Sequence, residues 1–313
     1  MNGIWLDFER PIIELEKKIE ELKGIEGVEE EITRLKTQAE KLKKRIYSNL
    51  SRWQRVQLAR HPRRPLALDI LSVVTNDFVE LHGDRRFGDD WAVVSGIAKL
   101  DNHSVAIVAQ QKGRDTKEKI KRNFGMPHPE GYRKALRIMK MAAKFNMPII
   151  TMVDTPGAYP GVGAEERGQS EAIAVNLFEC ATLPVPIVVL ILGEGGSGGA
   201  LAIALGDRIL MLENAVYSVI SPEGCASILW RDASRNKEAA EALRLTAQDL
   251  TQFRIIDEIV PEPVGGAHMD IDKTAKNIKE ALLKHVQQLR EIPAEELISS
   301  RIKKYQNMGV YSE

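Results

Sequence analysis

A glycine-rich segment that follows an apolar run is the part of this sequence best suited to chemistry. Residues 193–199 read Gly-Glu-Gly-Gly-Ser-Gly-Gly, and residues 186–192 before them are apolar. We expect a strand that runs into a glycine-rich turn, with a buried helix over 199–205. Backbone N–H groups at such a helix start are not covered by side chains, and they bind negative charge.

Several established motifs fit this segment. The pattern Gly-x-Gly-x-x-Gly from Gly193 fits a dinucleotide-binding fingerprint, and Glu213 lies 20 residues further on, where a ribose-binding acid is expected. The pattern Gly-x-Ser-x-Gly around Ser197 fits a nucleophile elbow. In a third interpretation, the N–H groups of Gly198 and Gly199 form an oxyanion hole. A turn that needs glycine only for packing is the remaining alternative.

A second loop favours the oxyanion interpretation. Residues 154–163 are also rich in glycine, follow the predicted strand 148–153 and open a helix. Two such loops lie at the same edge of a parallel sheet and line one crevice, whereas a Rossmann fold needs only one glycine turn. In a hydrolase elbow the histidine follows the serine, and only His268 and His285 lie after Ser197.

Composition limits the classes of function. With 313 residues and 43% hydrophobic content, the chain can form one large domain plus an appendage. Its formal net charge of zero gives no overall attraction to nucleic acid or membrane. Cys180 and Cys225 form no CxxC pair, so we expect neither a metal site nor a disulfide framework. Without a signal-peptide pattern or an apolar run of about 20 residues, we expect a cytoplasmic protein.

The N-terminal region predicts helices. Apolar residues recur at helical spacing from Ile12 to Ile46, with a slip at Gly24 and Gly27. This pattern indicates an antiparallel helical hairpin, which either packs on its own core or contacts another subunit. The arginines within 51–65 predict a solvated basic face, with a phosphate contact as the alternative.

The rest of the chain predicts an α/β domain. A helix over 65–81 and a charged loop over 81–90 precede two strands, 92–100 and 104–109, which are joined by a hairpin turn. A long basic loop over 111–131 is interpreted as an ordered binding loop. Alternating strands and helices then indicate a parallel sheet. The predicted elements are helix 132–145, strand 148–153, helix 166–181, strand 186–192, strands 208–212 and 216–220, a helix capped by Ser221, and helical regions 237–252 and 272–306.

Several of these segments occur together in one known family. They are Leu-His-Gly-Asp-Arg from residue 81, Gln-Lys-Gly-Arg-Asp-Thr-Lys-Glu-Lys from 111, Arg-Asn-Phe-Gly-Met-Pro from 122, Asp-Thr-Pro-Gly-Ala-Tyr-Pro-Gly from 154, the glycine segment from 193 and Ser-Pro-Glu-Gly-Cys-Ala from 221. In this order, over about 5–290, the sequence resembles the alpha subunits of the carboxyltransferase component of bacterial acetyl-CoA carboxylase.

The resemblance implies a crotonase-like α/β fold of repeated ββα units around a sheet. It implies transfer of a carboxyl group from carboxybiotin, held on a separate carrier protein, to acetyl-CoA, which gives malonyl-CoA for fatty acid synthesis. It also implies a carboxyltransferase beta subunit that carries zinc and most of the acetyl-CoA pocket, in an alpha2beta2 assembly. The biotin carboxyl carrier protein and biotin carboxylase are further partners, and ATP binding belongs to the whole complex. Nucleic acid stays open as a partner, although the net charge does not favour it.

The resemblance also implies roles for particular residues. The N–H groups of Gly198 and Gly199 hold the ureido oxygen of biotin, which becomes negative when the carboxyl group leaves. No side-chain nucleophile is needed, because the biotin nitrogen can remove the acetyl proton. The other expected substrate-binding residues are Gly157 and Ala158 in the facing wall, Gly195 and Gly196 in the glycine segment, and Lys112 and Arg114 in the basic loop 112–122.

The expected division of the chain has three parts. Residues 1–64 form a helical arm, residues 65–290 form the carboxyltransferase domain, and residues 291–313 form a helical tail.

Two other functions stay open. One is a standalone crotonase-type hydratase or hydrolase that acts on acyl-CoA. The other is a non-catalytic scaffold whose arm and basic loop bind partners.

Overall fold

One sheet forms the centre of the molecule. The computed structural model describes residues 5–25 and 27–309 and contains, within them, an eight-stranded sheet. The strands are β1 (Asn76–Glu80), β2 (Val93–Leu100), β3 (His103–Gln110), β4 (Ile149–Thr155), β5 (Ile187–Gly196), β6 (Arg208–Leu212), β7 (Val216–Ser218) and β8 (Glu258–Val260).

Helices surround this sheet and form an N-terminal extension. Short 3₁₀ turns apart, the helices are α1 (Arg10–Leu22), α2 (Glu29–Ser48), α3 (Arg52–Ala59), α4 (Ala67–Val74), α5 (Thr116–Lys121), α6 (Pro129–Lys144), α7 (Val162–Glu166), α8 (Gln169–Thr182), α9 (Ser197–Ala204), α10 (Pro222–Trp230), α11 (Asn236–Leu243), α12 (Ala247–Gln252), α13 (Ile271–Arg290) and α14 (Ala294–Gln306). None of the helices in this part of the chain is both long enough and apolar enough to cross a membrane.

The sheet is mixed, with a parallel half that carries the glycine-rich segments. Its strand order is β1-β2-β3-β4-β5-β6-β8, and β7 pairs with the end of β5. Strands β1, β2 and β3 are antiparallel, whereas β3 to β6 and β8 are parallel. Every residue of β4 is buried, as expected for a parallel strand covered on both faces. Both β4 and β5 therefore end at the same edge of the sheet.

Several predicted elements are confirmed. The hairpin of β2 and β3 pairs residue by residue from Val93 with Gln110 to Leu100 with His103. The predicted cap of α10 is also present, because the Ser221 side chain accepts a hydrogen bond from the Gly224 N–H. These predictions depended on local sequence alone.

Two other predictions are wrong. The helix expected over 65–81 ends at Val74, and Asn76–Glu80 forms a strand because it can pair with the edge of β2. The loop expected over 111–131 contains α5, whose start is capped by Asp115: its carboxylate accepts a hydrogen bond of 2.7 Å from the Glu118 N–H.

The glycine-rich segment is also organised differently from the prediction. It is not a separate turn, because β5 continues to Gly196 and α9 starts directly at Ser197. Residues Glu194, Gly195 and Gly196 stay in the sheet by pairing with β7. Ser197 changes the chain direction with a φ of 50°, in the left-handed region that side chains rarely adopt.

The arginines of 51–65 do not form a solvated basic face. Four of them reach into the domain, because α3 packs against β5, β7 and α11. Their acceptors are Asp249 and Glu241 for Arg52, Asn214 and the Glu213 carbonyl for Arg55, Glu194 and Glu223 for Arg60, and Glu262 and the Leu192 carbonyl for Arg64. Most of these acceptors are carboxylates, so the positive charges are largely balanced within the protein.

The first two helices pack on each other. Apolar residues of α1 and α2 form two small clusters, one around Ile19 and Leu35 and one around Ile12 and Tyr47. The start of α1 thus lies beside the end of α2, which is the antiparallel arrangement. Leu58 of α3 belongs to the second cluster and connects it to the domain.

Candidate functional site

The two glycine-rich segments lie in direct backbone contact. A Cβ atom at Gly199 would be only 2.5 Å from the Ala158 nitrogen and 2.9 Å from the Gly157 Cα. A Cβ atom at Gly196 would be 2.9 Å from the Thr155 carbonyl oxygen and still closer to that of Pro156. Glycine is therefore required at both positions, because any side chain would push the ends of β4 and β5 apart.

Gly198 is placed differently from these two glycines. A Cβ atom there would make only ordinary contact, 3.6 Å from the Ile173 Cδ1 atom, and the residue is half-buried. Neighbouring Ser197 is exposed. The packing of the chain alone therefore does not explain glycine at position 198, which leaves room for a bound group.

The start of α9 carries uncapped N–H groups. Its N-cap residue is Gly196, and no side chain forms a capping hydrogen bond there. The first N–H groups of a helix have no acceptor within the helix and carry partial positive charge. Ala158 and Ile173 belong to an apolar cluster beside this helix start. The arrangement can hold a negative oxygen on a flat, partly apolar molecule.

Gln110 connects the two glycine-rich segments, a role that was not predicted from the sequence. Its side chain is fully buried at the end of β3. Nε2 donates a hydrogen bond of 2.7 Å to the Gly199 carbonyl, and Oε1 accepts one of 3.1 Å from the Asp154 N–H. The only signal in the sequence was an amide residue directly after an apolar run. This amide fixes both loops relative to each other.

A connected network of ion pairs lies next to the glycine segment. Lys112 Nζ is 2.8 Å from Asp154 Oδ1 and 3.4 Å from Glu194 Oε2. Arg60 pairs with the other side of Glu194 and with Glu223 at the start of α10. Burial alone would lower the pKa of Lys112, but the Asp154 and Glu194 carboxylates outweigh it and raise the pKa. The amine is thus charged, and its charge is already balanced.

The two expected binding residues of the basic loop, Lys112 and Arg114, have different surroundings. Lys112 lies next to the glycine segment through Asp154, whose Oδ1 would be 2.6 Å from a Cβ atom at Gly193. Arg114 instead forms an ion pair with Asp69, and its side chain is 62% exposed. The structure brings Gly157, Ala158, Gly196 and Gly199 together, while Arg114 is paired with Asp69.

Glycine is needed at positions 195 and 157 for separate structural reasons. A Cβ atom at Gly195 would be 2.7 Å from the Tyr217 ring, since this residue pairs with β7. Gly157 has a φ of 154°, and its N–H donates a hydrogen bond to Thr155 Oγ1. Both glycines therefore support the shape of the strand ends.

The nucleophile-elbow alternative finds no support in the histidines. His268 stacks on His61 with ring centroids 3.9 Å apart, and His285 Nε2 lies 2.8 Å from Glu258. Both histidines that follow Ser197 thus have partners elsewhere. Within residues 5–25 and 27–309, no three His, Cys, Asp or Glu side chains are placed together to hold a metal ion.

Comparison with protein families identifies the family of the chain. A family model described as acetyl co-enzyme A carboxylase carboxyltransferase-like matches residues 5–309. The chain belongs to this family. The match confirms the resemblance inferred from the sequence motifs.

Curated relatives of this carboxyltransferase-like chain match over nearly its full length. One protein of Geobacter metallireducens is 59% identical over 312 residues, covering 98% of each chain. One of Thermus thermophilus is 56% identical, covering 98% of this chain and 99% of that protein. Both are named acetyl-coenzyme A carboxylase carboxyl transferase subunit alpha.

Solved structures similar to the carboxyltransferase-like chain show its fold. The transcarboxylase 12S structure matches with a TM-score of 0.57 and 22% identity over 70% of this chain, which spans 41% of that chain. A Pseudomonas malonate decarboxylase hetero-tetramer matches with a TM-score of 0.57 and 17% identity, covering 69% of this chain and 86% of that one. These likenesses confirm the crotonase-like α/β fold.

Proposed function

We propose that this chain is the alpha subunit of an acetyl-CoA carboxylase carboxyltransferase. With a beta subunit, it transfers the carboxyl group of carboxybiotin on a carrier protein to acetyl-CoA and produces malonyl-CoA. Family membership and the named full-length relatives support this function. The observation that carries the site is the uncapped start of α9, where Gly198 is open to a bound group and Gly199 contacts the loop after β4.

The backbone of this chain supplies the proposed catalytic groups. Carboxybiotin brings the carboxyl group, and its ureido oxygen gains negative charge when that group leaves. The N–H groups of Gly198 and Gly199 donate to that oxygen and stabilise its charge in a fixed geometry. Because Gly198 has no side chain, the flat ring system can approach the helix start closely.

The surrounding residues position these donors. Gly157 and Ala158 form the facing wall, and Gly195 and Gly196 hold the strand that leads to the donors. Gln110 prevents the two loops from sliding apart, because it bonds to the backbone of both. Lys112 balances Asp154 and Glu194 and so keeps two buried carboxylates from repelling each other. Ser197 takes no covalent part.

The beta subunit completes the proposed site. It supplies most of the acetyl-CoA pocket and holds zinc, and the assembly is alpha2beta2 with the carrier protein and biotin carboxylase as further partners in the cytoplasm. Residues 1–64 act as a helical arm for assembly, 65–290 as the carboxyltransferase domain and 291–313 as a tail. The separate apolar clusters of α1 and α2 support the arm, and the buried Arg301 anchors α14 to Asp207.

Replacing Gly198 tests the donor directly. Gly198→Pro removes one N–H at the second position of α9, where no intrahelical hydrogen bond is lost, although it also disfavours the left-handed φ of Ser197 before it. Gly198→Ala keeps the N–H and adds a methyl group that makes only ordinary contact with Ile173 in the free chain, so it measures the crowding of the bound ring alone and is the matched control. We expect carboxyl transfer to fall by about 10²–10³ more in the proline variant than in the alanine variant, because only proline also removes the donor. Position 199 is unsuitable, because any side chain there collides with the loop at Gly157.

The assay uses the chain together with its beta subunit and measures malonyl-CoA-dependent carboxylation of a biotin derivative. Size-exclusion chromatography and circular dichroism show whether both variants fold and assemble. Equal activity of the two variants in intact complexes would contradict the donor role. Full activity of the isolated alpha chain would contradict the shared site and favour a standalone acyl-CoA enzyme.

A further inference from the structure

A basic cleft lies away from the glycine segments, between α6, α8 and the loop before β2. Its volume is about 360 Å³. Five of the residues that line it are cationic, Arg85 and Arg86 of the loop and Arg133, Arg137 and Lys140 of α6, and two are acidic, Asp84 and Glu171. The three residues on α6 follow one another at spacings of four and three, so they share one face of the helix. Nothing in the proposed carboxyl transfer uses this cluster.

Only part of this positive charge is balanced inside the protein. Arg133 pairs with Asp84 at 2.7 Å, and Lys140 pairs with Glu179 at 2.8 Å. Among the residues that the structure describes, the other three arginines of the cleft form no ion pair with a carboxylate. These three arginines are Arg85, Arg86 and Arg137.

Two of the unbalanced guanidinium groups are held beside each other. Arg85 Nη1 donates to the His82 carbonyl at 2.9 Å, and Arg137 Nη2 donates to the same carbonyl at 3.1 Å. Burial and then the charge of Arg85 lower the pKa of Arg137. Arg85 also adopts a φ of 66°, which is strained for a residue with a side chain. A bound anion would relieve the repulsion between these like charges.

We propose that this cleft binds the phosphate groups of a small diphosphate-containing ligand. Guanidinium groups match phosphate oxygens with paired hydrogen bonds, and three of them in one cleft suit two linked phosphates. The volume lies in the range of small-molecule sites. The α8 side adds Ala172 and Val175, which provide contact for an uncharged part of the ligand. A nucleic acid or an acidic protein would instead need a longer open track of charge.

Two sources could supply such phosphates. One is free diphosphate or a nucleotide, and the other is the nucleotide end of coenzyme A. Binding of free diphosphate or a nucleotide is independent of the proposed carboxyl transfer, whereas the coenzyme A source rests on that proposed function.

Calorimetric titration of the full-length chain with inorganic pyrophosphate and with coenzyme A tests the proposal. Arg86→Gln removes a side chain that forms no ion pair in the described part of the chain, so the fold should be preserved. Arg254→Gln is the matched control, because Arg254 is also exposed, forms no ion pair in the described part of the chain and does not line the cleft. We expect Arg86→Gln and Arg137→Gln each to weaken binding about tenfold or more, and the control to change it less than twofold.

The two ligands distinguish the sources. Tighter binding of coenzyme A than of pyrophosphate, lost in the Arg86 and Arg137 variants, identifies the coenzyme as the source. Pyrophosphate binding that is equal or tighter identifies free diphosphate or a nucleotide. The proposal is overturned if neither ligand binds at millimolar concentration, or if binding survives Arg86→Gln unchanged. Since carboxyl transfer is not measured, these results stand apart from the test at Gly198.

Discussion

Replacing Gln110 should slow carboxyl transfer, although its side chain is not one of the proposed donors to the substrate. Its amide bonds to the Gly199 carbonyl and to the Asp154 N–H, so it holds the helix start and the loop after β4 in register. Gln110→Met keeps a similar size but removes both hydrogen bonds. Gln110→Glu keeps the acceptor for Asp154 and places a carboxylate oxygen against the Gly199 carbonyl, 2.7 Å away in the native geometry.

The size of the effect follows from burial. Each buried backbone group that loses its partner costs about 1–3 kcal/mol, so Gln110→Met should destabilise the protein by about 2–6 kcal/mol if the loops stay in place. If the loops move to find other partners, part of this energy is recovered but the donors are displaced. A displacement of about 1 Å can cost about 10² in rate, so we expect kcat to fall by that factor with a smaller change in KM.

The Gln110→Glu variant adds a pH signature. Burial raises the pKa of a carboxyl group. At high pH the carboxylate repels the Gly199 carbonyl, whereas at low pH the protonated acid can donate to it as the amide did. We therefore expect the activity of Gln110→Glu, relative to wild type, to rise as the pH falls, and that of Gln110→Met to stay low throughout.

Gln111→Met is the matched control. Gln111 is also a buried amide with two backbone partners, the Leu68 N–H and the Lys112 carbonyl, but neither belongs to the glycine segments. Carboxyl transfer in the alpha–beta complex and urea unfolding of each variant give the two readouts. We expect similar losses of stability for both methionine variants and a large loss of kcat only for Gln110→Met. Equal kcat values in the two variants would refute the positioning role.

Three further predictions concern other parts of the chain. Ser197→Ala should reduce carboxyl transfer far less than the several powers of ten expected of a nucleophile, and an acyl adduct on Ser197 in mass spectrometry would contradict this. Deleting residues 1–46 should weaken assembly in light scattering more than it reduces the circular dichroism of the core; loss of both together would favour a purely structural role. Burial and then the charge of His61 lower the pKa of His268 to about 3. As the pH falls, the His268 imidazole is therefore protonated in the unfolded chain before it is protonated in the folded one. The free energy of unfolding should fall by up to about 1.4 kcal/mol per pH unit as the pH is lowered from about 6.5 to 3, and His268→Asn should flatten that slope in acid unfolding.

The strands at the centre of the fold were predictable because their signal is local. Buried parallel strands appear as unbroken apolar runs, as in Pro148–Val153 before the first glycine loop. The strand β1 was not predictable in this way. Its sequence continues that of a helix, and only the free edge of β2 makes the extended form favourable. Tertiary pairing decided this element, not propensity.

The same limit applies to the site. The glycines could be found in the sequence because glycine is needed wherever two backbones approach closely. The positions of Gln110 and Arg60 could not, because their partners lie 89 and 134 residues away in the chain. An arginine in a basic segment looks solvated until its carboxylate partner is known. The ion pair of Arg114 with Asp69 could not be found in the sequence either, although the two residues are only 45 positions apart.

The arginines of α3 and the segment after it also affect the order in which the protein forms during synthesis. Arg64 is buried against Glu262, which is 198 residues further along the chain. A ribosome that adds about 5–20 residues per second needs about 10–40 s to make that stretch. Until then the guanidinium group of Arg64 has the Leu192 carbonyl but no carboxylate partner. The end of β5, which carries the glycine segment, therefore gains this ion pair only when the chain is nearly complete.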